Sequence, residues 1–220
     1  MTRIRSGNVR FLILVLGSLA ALWGCARTGV LPIDLSYTPS APAAKAEPDV
    51  ARLTFGVAQF VDNRQQKEFV AEIPWPSGVA QYKPTKPLGA IIAEAVGKRL
   101  EAAGLKVVQL GETWNLEPGS LKDNWPDVVI GGRIDQFWAT TNTNDAIHKV
   151  DADVNLTLIV ATPHGKRIIY EKGIIGRADD TRLVSYESRV KSALSNTYST
   201  SIDEFFKDSL LMRQLKTVRR

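Results

Sequence analysis

The sequence predicts an α+β domain with a mixed, largely antiparallel sheet of about five strands and two long helices on one face, in the order β-α-β-β-β-β-α. Two observations predict this class. Apolar residues recur at three- and four-residue steps over 87–104 and 186–206, which is the spacing of amphipathic helices. Apolar and polar residues alternate most clearly over 148–162, which is typical of an antiparallel strand with one wet face.

Five segments have the composition of strands. The first is apolar on both faces and predicts a central strand. Gly131 and Gly132 interrupt the third, where they predict a bulge or a point of close packing. The last two form a hairpin through a turn at 163–166. The predicted strands span residues 51–62, 105–110, 127–140, 148–162 and 167–178.

The segment 62–86 predicts a long loop, because three prolines and a glycine punctuate it. Loops of this length are usually functional or mobile, so its polar and aromatic residues are candidates for recognition. Asp62 and Arg64, at the end of the first strand, are two of these candidates. The favoured alternative to a recognition role is that they form a local ion pair that ends the strand. Trp75 and Tyr82 lie farther along the loop, and the alternative for them is to cover the edge of the sheet.

The N-terminus predicts an export signal. Arg3, Arg5 and Arg10 precede an apolar run over 11–23, which is too short to span a bilayer as a helix. Removal of this signal lowers the formal net charge from +5 to +2, and the remaining charges are interspersed. The basic composition therefore gives no argument for a nucleic-acid partner.

The only cysteine of the chain follows this apolar run directly. The sequence Leu22-Trp23-Gly24-Cys25 resembles the lipobox of bacterial lipoproteins, from which only Trp23 departs. The resemblance implies cleavage after Gly24, and a diacylglycerol and an N-acyl group on Cys25. Because two or three acyl chains bind a bilayer stably, Cys25 is expected to anchor the chain. In Gram-negative lipoproteins, Asp directly after the lipidated Cys keeps the protein in the inner membrane. This chain has Ala26 at that position, which implies an outer-membrane location with the domain facing the periplasm.

Four regions follow from these patterns. Residues 1–24 are the predicted signal peptide, and the Pro-, Ala- and Ser-rich residues 25–50 are a lipidated flexible tether. Docking of the short apolar patch 30–37 on the domain is the alternative for part of that tether. Residues 51–208 form the single predicted domain, and the basic residues 209–220 a fraying tail.

The mature sequence offers no catalytic residue, metal site or cofactor motif. His148 and His164 lie at a strand start and in a turn, away from any set of zinc ligands. Ser188 and Lys191 match the Ser-x-x-Lys motif of penicillin-recognising enzymes, but the partner motifs of those enzymes are missing. The sequence therefore predicts a protein that is not an enzyme.

From Leu53 to Phe206 the chain resembles the YajG-like family of small bacterial lipoproteins. The likeness rests on "GVAQFVDNR", "LEAAGLKV", "DVVIGGRIDQF", the hairpin from Val154 to Gly176, and "ALSNTYSTSIDEFF". It implies a non-catalytic binding or accessory protein in cell-envelope assembly or maintenance, with an envelope-protein or peptidoglycan-related partner. An oligomeric envelope scaffold and a periplasmic hydrolase remain the alternatives.

Overall fold

The computed structural model describes residues 28–40, 42–75, 77–142, 149–182 and 184–218. Within these ranges nine strands form one sheet, which three helices of eight residues or more accompany. The strands are β1 (Gly29–Ile33), β2 (Thr54–Gln59), β3 (Val61–Asp62), β4 (Ala71–Trp75), β5 (Gly78–Pro84), β6 (Lys106–Thr113), β7 (Val128–Asn142), β8 (Lys149–Thr162) and β9 (Arg167–Asp180). The helices are α1 (Leu88–Ala102), α2 (Tyr186–Phe206) and α3 (Ser209–Lys216), and a short helical turn (Pro48–Ala51) precedes β2.

The long strand β7 organises the sheet. Along one edge it pairs in parallel with β2, β3 and β4 in succession, and along the other it pairs antiparallel with β8. The sheet continues from β8 to β9 in an antiparallel hairpin, and from β2 to β6 in a parallel pair. On the remaining side β5 pairs antiparallel with β4, and β1 adds to β5 in parallel.

The main core lies between the sheet and the helices α1 and α2. Alternate residues of β8 from Val150 to Val160 point into it, which confirms the dry face predicted for this strand. The opposite face is half-buried over 151–155 and buried from Thr157 onward, so the predicted wet face is only partly present. The intervening residues of β7 and β8 contribute to a smaller core on the opposite face, under the connection 114–126. The members of this second core are Ala58, Trp114, Leu121, Val129, Ile159 and Ala161.

The two long helices begin and end where their sequences require. Ser185 caps α2, because its hydroxyl accepts a hydrogen bond from the Ser188 amide. Gly104 follows α1 with φ of +81°, the left-handed conformation in which many helices end and which glycine adopts without strain. Gly132 in β7 is a close packing point, since a Cβ there would lie 2.0 Å from the Thr157 carbonyl oxygen. The bulge of β7 falls three residues later, at Asp135.

Residues 29–40, predicted as part of a tether, pack on the domain. Leu31 pairs with Tyr82 as β1 extends the sheet, and Ile33 and Leu35 are buried in the main core. The chain then runs along α2, where the Thr38 amide donates a hydrogen bond to the Ser199 hydroxyl at 3.1 Å. The apolar patch 30–37 is therefore docked on the domain, which was the alternative to a flexible tether over these residues.

One buried carboxylate fixes this segment. Asp203 of α2, only 2 % exposed, accepts hydrogen bonds from the Tyr37 hydroxyl at 2.6 Å and the Ser40 amide at 2.7 Å. The Ser40 hydroxyl donates a further hydrogen bond, and the Arg99 guanidinium of α1 lies 3.1 Å away. We call these four residues the Asp203 clasp; it joins the N-terminal segment to both long helices.

The predicted fold class is wrong, because the described residues form nine strands and three helices instead of about five strands and two helices. The predicted loop 62–86 contains Asp62, the last residue of β3, and the hairpin of β4 and β5. Pro74 is tolerated in β4 because that strand pairs with β7 only at Ala71, which leaves an open edge beside the proline. The predicted tail contains α3, whose Leu211 and Leu215 are buried one helical turn apart.

We predict that Asp203→Asn lowers the free energy of unfolding by about 2 kcal/mol, because it removes a buried charge from three donors and Arg99. Burial acts to raise the pKa of Asp203, but the hydrogen bonds from Ser40 and Tyr37 outweigh it and hold that pKa below its usual value. The contribution of the carboxylate is therefore complete above about pH 4 and is lost as the pH falls through the lowered pKa. Denaturant titrations from pH 7 to pH 3 measure this loss.

The matched control is Asp153→Asn, which alters an exposed ion pair with Arg177 and is expected to change stability by less than about 1 kcal/mol. Equal effects of the two substitutions would contradict the role assigned to the clasp.

Candidate functional site

An aromatic pocket forms where β1, β4, β5 and the start of α2 meet. Trp75 closes β4, Tyr82 lies in β5, Leu31 lies in β1, and Tyr186 is the first residue of α2. The rings of Trp75 and Tyr186 meet edge to face, with centroids 4.9 Å apart and planes at 89°. Together with the segment 184–187 these residues line a cavity of about 250 Å³.

The strand register explains why these residues converge. Leu31 and Tyr82 are paired across the parallel strands β1 and β5, so their side chains lie on the same face of the sheet. Trp75 reaches this face from β4, near the tip of its hairpin with β5. The cap at Ser185 then starts α2 so that Tyr186 covers Trp75.

The pocket combines apolar walls with a charged rim. Burial raises the pKa of Tyr82, and the nearby negative charge of Glu187 raises it further. Burial also raises the pKa of Tyr186, although the Arg189 guanidinium, 4.3 Å from the ring centroid, opposes this effect. Both phenols therefore stay protonated at neutral pH and offer hydroxyl groups beside apolar surface.

The structure brings together two of the predicted recognition residues, Trp75 and Tyr82. Tyr82 is 2 % exposed and forms the base of the pocket, whereas Trp75 is half-buried in its wall. Sequence reasoning missed Leu31 and Tyr186 as their partners. Two features of the sequence could have indicated them. Leu31 lies in the apolar patch 30–37, for which docking on the domain was an alternative, and Tyr186 lies at the predicted start of a helix.

Asp62 and Arg64 form the local ion pair considered as their alternative. Two nitrogens of the Arg64 guanidinium donate to the Asp62 carboxylate, both at 2.9 Å. The guanidinium also donates to the carbonyl oxygens of Phe69, Phe137 and Lys67, at 2.9, 3.2 and 3.0 Å. Every N–H of this 5 % exposed guanidinium thus has an acceptor, so Arg64 holds the connection between β3 and β4 against β7.

A second, larger cavity of about 370 Å³ lies between α1, α3 and residues 42–47. Three of its basic side chains already have acidic partners. Lys216 lies 2.7 Å from Glu47, Lys207 lies 2.6 Å from Glu204, and Arg99 belongs to the Asp203 clasp. Because these three basic side chains are already paired, they contribute little positive charge for binding a polar ligand in the cavity.

The described residues contain no cluster of three or more groups that are suited to holding a metal ion. The Ser188 hydroxyl contacts the Ser185 hydroxyl at 2.9 Å in the cap of α2, and the described part of the chain shows no hydrogen bond from Ser188 to Lys191. His164 is exposed in its turn. None of the helices in the described ranges is long and apolar enough to span a membrane. Gly24, Cys25 and His148 lie outside the described residues.

The sequence matches no protein-family model and no curated protein sequence. Its fold is similar to that of a solved Xanthomonas campestris protein of the DUF330 family, with a TM-score of 0.53 and 11 % identity. That likeness covers 84 % of this chain and 97 % of the other. The YajG-like family itself is therefore not confirmed, and the shared fold is what the likeness shows.

Two further solved proteins have lower similarity. PelC of Paraburkholderia phytofirmans, solved as a dodecamer, has a TM-score of 0.45 and 10 % identity over 82 % of this chain and 96 % of its own. The lipoprotein GNA1162 of Neisseria meningitidis has a TM-score of 0.39 and 11 % identity over 68 % of this chain and 99 % of its own.

Proposed function

We propose that the chain is a lipid-anchored, non-catalytic binding or accessory protein of the bacterial cell envelope. The observation that carries the proposal is the aromatic pocket at the hairpin of β4 and β5, which lies beside the N-terminal end of β1. A lipid on Cys25, four residues before β1 begins, would hold this pocket close to the membrane. The sequence similarity of residues 22–25 to a lipobox supports the anchor.

The proposal places the mature protein in the outer membrane with its domain facing the periplasm. Ala26 supports this location by the sorting rule for Gram-negative lipoproteins. We propose an envelope protein or a peptidoglycan-related molecule as partner, and a membrane contact through the lipid. Nothing in the charge distribution of the mature sequence favours nucleic acid.

The size of the pocket favours a protein partner. Its volume of about 250 Å³ is at the lower limit for a small-molecule site and suits one or two inserted apolar side chains. Trp and Tyr are the residues that most often dominate protein interfaces, because they bury a large area with few rotatable bonds. The hydroxyl of Tyr186 and the charges of Glu187 and Arg189 then supply polar contacts at the rim.

An oligomeric scaffold is the second candidate, and β9 is the observation that favours it. This fourteen-residue strand pairs only with β8 among the described strands, and Ile175 on it is 71 % exposed. A long open edge of this kind is a template for pairing with another chain. The charged side chains along β9 oppose such pairing, as charges on edge strands commonly do; they are Arg167, Glu171, Lys172, Arg177, Asp179 and Asp180. Sedimentation velocity of residues 26–220 distinguishes a monomer from the scaffold.

We predict that Cys25→Ala leaves the chain as an unlipidated precursor that keeps residues 1–24, because the thiol that accepts the diacylglycerol is gone. Intact-mass spectrometry of the membrane-bound and soluble forms measures both changes. The wild-type chain is expected to begin at Cys25 and to carry acyl chains. A wild-type mass without them would contradict the proposed anchor.

We predict that the pocket captures a discrete partner in intact cells. Glu187→benzoylphenylalanine places a photoreactive side chain on the exposed rim of the pocket, and Glu204→benzoylphenylalanine is the control at the other end of α2. Crosslinked species are expected from position 187 only, and Trp75→Ala is expected to abolish them because it removes one wall. Identical products from both positions, or none from 187, would contradict the pocket as the binding surface.

A further inference from the structure

We propose that the tip of the β4 and β5 hairpin, together with the start of β1, rests on the bilayer that holds the lipid anchor. The contact surface consists of Val30, Pro74 and Val79, which we call the tip patch. This inference rests on the lipidation of Cys25 proposed above and adds to it the orientation of the domain. Its occupant is a phospholipid surface.

The strand registers place the three side chains on one face of the sheet. Val79 pairs with Pro74 across the hairpin, and Val30 pairs with Gln81, which lies two residues after Val79 on the same face. Val30 and Val79 are 56 % and 45 % exposed, and Pro74 is exposed as well. The tip thus presents adjacent apolar side chains to solvent on one face, and clustered apolar surface is a feature of interaction sites.

The length of the chain places the anchor next to this patch. Thr28 contacts the hairpin tip, since its methyl group lies 3.5 Å from where a Cβ of Gly78 would be. The three Cα–Cα steps from Cys25 to Thr28 span at most about 11 Å. The acyl chains proposed for Cys25 therefore enter the membrane at a residue within about 11 Å of Thr28, which contacts the tip, and a long tether does not separate the two.

The charges near the tip agree with a lipid contact. Ser77 and Gly78 at the described part of the turn are uncharged. The nearest charged side chains on the same face, Glu72 and Lys83, lie farther along the strands and are bound to Gln81 at 2.8 Å and to Glu68 at 3.1 Å. No residue from Pro74 to Val79 is charged, so insertion of the tip among the head groups buries no charged side chain of the hairpin turn.

The aromatic pocket opens on the other face of the same hairpin. Trp75 follows Pro74 directly, so its side chain projects away from the tip patch toward Tyr186. Contact of the patch with lipid leaves this pocket accessible at the level of the membrane surface. A partner that itself lies at the membrane surface is then well placed to reach it.

Fluorescence quenching in vesicles tests the contact. The mature lipidated protein carries Ser77→Cys labelled with bimane, because Cys25 is blocked as a thioether. The vesicles contain phosphatidylethanolamine, phosphatidylglycerol and a phospholipid with a nitroxide near the head group. Val108→Cys is the control, since Val108 is a similarly exposed valine, at 46 %, on β6 at the opposite end of the strand order from β1. We expect quenching at position 77 to be about twofold stronger than at position 108.

A charge substitution then tests the patch itself. Val30→Asp combined with Val79→Asp is expected to reduce quenching at position 77 to the level of position 108, whereas Leu210→Asp on α3, also exposed, leaves it unchanged. Both proteins should still sediment with the vesicles. Sedimentation with equal quenching at 77 and 108 overturns the tip contact alone. Failure of the wild-type protein to sediment with the vesicles overturns the anchor and, with it, this inference.

Discussion

The Asp203 carboxylate is the constraint on which the position of the N-terminal segment depends. It is 2 % exposed, and it binds Tyr37 and Ser40 of that segment together with Arg99 of α1. A buried charge of this kind is tolerated only when its partners are complete. The segment is therefore part of the folded domain, because leaving α2 would strip the carboxylate of three of its donors.

Two functional features follow from this constraint. Leu31 reaches the wall of the aromatic pocket only because β1 is held beside β5. Thr28 reaches the hairpin tip for the same reason, and Cys25 lies within about 11 Å of Thr28 along the chain. A flexible tether of twenty-five residues would have allowed a separation of roughly 25–30 Å. The clasp thus gives the domain a defined orientation toward the proposed anchor, which a flexible tether would not.

The sequence was sufficient for elements whose pattern is local. Both long helices and the alternation of β8 could be predicted because their periodicity is carried by neighbouring residues. β1, β4 and β5 could not, since each contains a proline, which favours a loop over a strand. In addition, the partner of β1 lies some fifty residues away in the sequence. The same holds for the pocket. Trp75 and Tyr82 could be identified from the sequence as aromatic residues of a polar segment. Their partner Leu31 could not, because it reaches the pocket only through a parallel strand pairing across some fifty residues.

Hydrogen exchange of the N-terminal segment tests the central claim most directly. In residues 26–220 at neutral pH, the amides of β1 and of residues 34–40 are expected to exchange about a hundredfold more slowly than those of the exposed segment 42–45. Asp203→Asn should accelerate exchange over residues 34–40 more than over β8. Exchange of residues 29–40 at the rate of residues 42–45 in the wild-type protein would contradict the docked segment and the orientation derived from it.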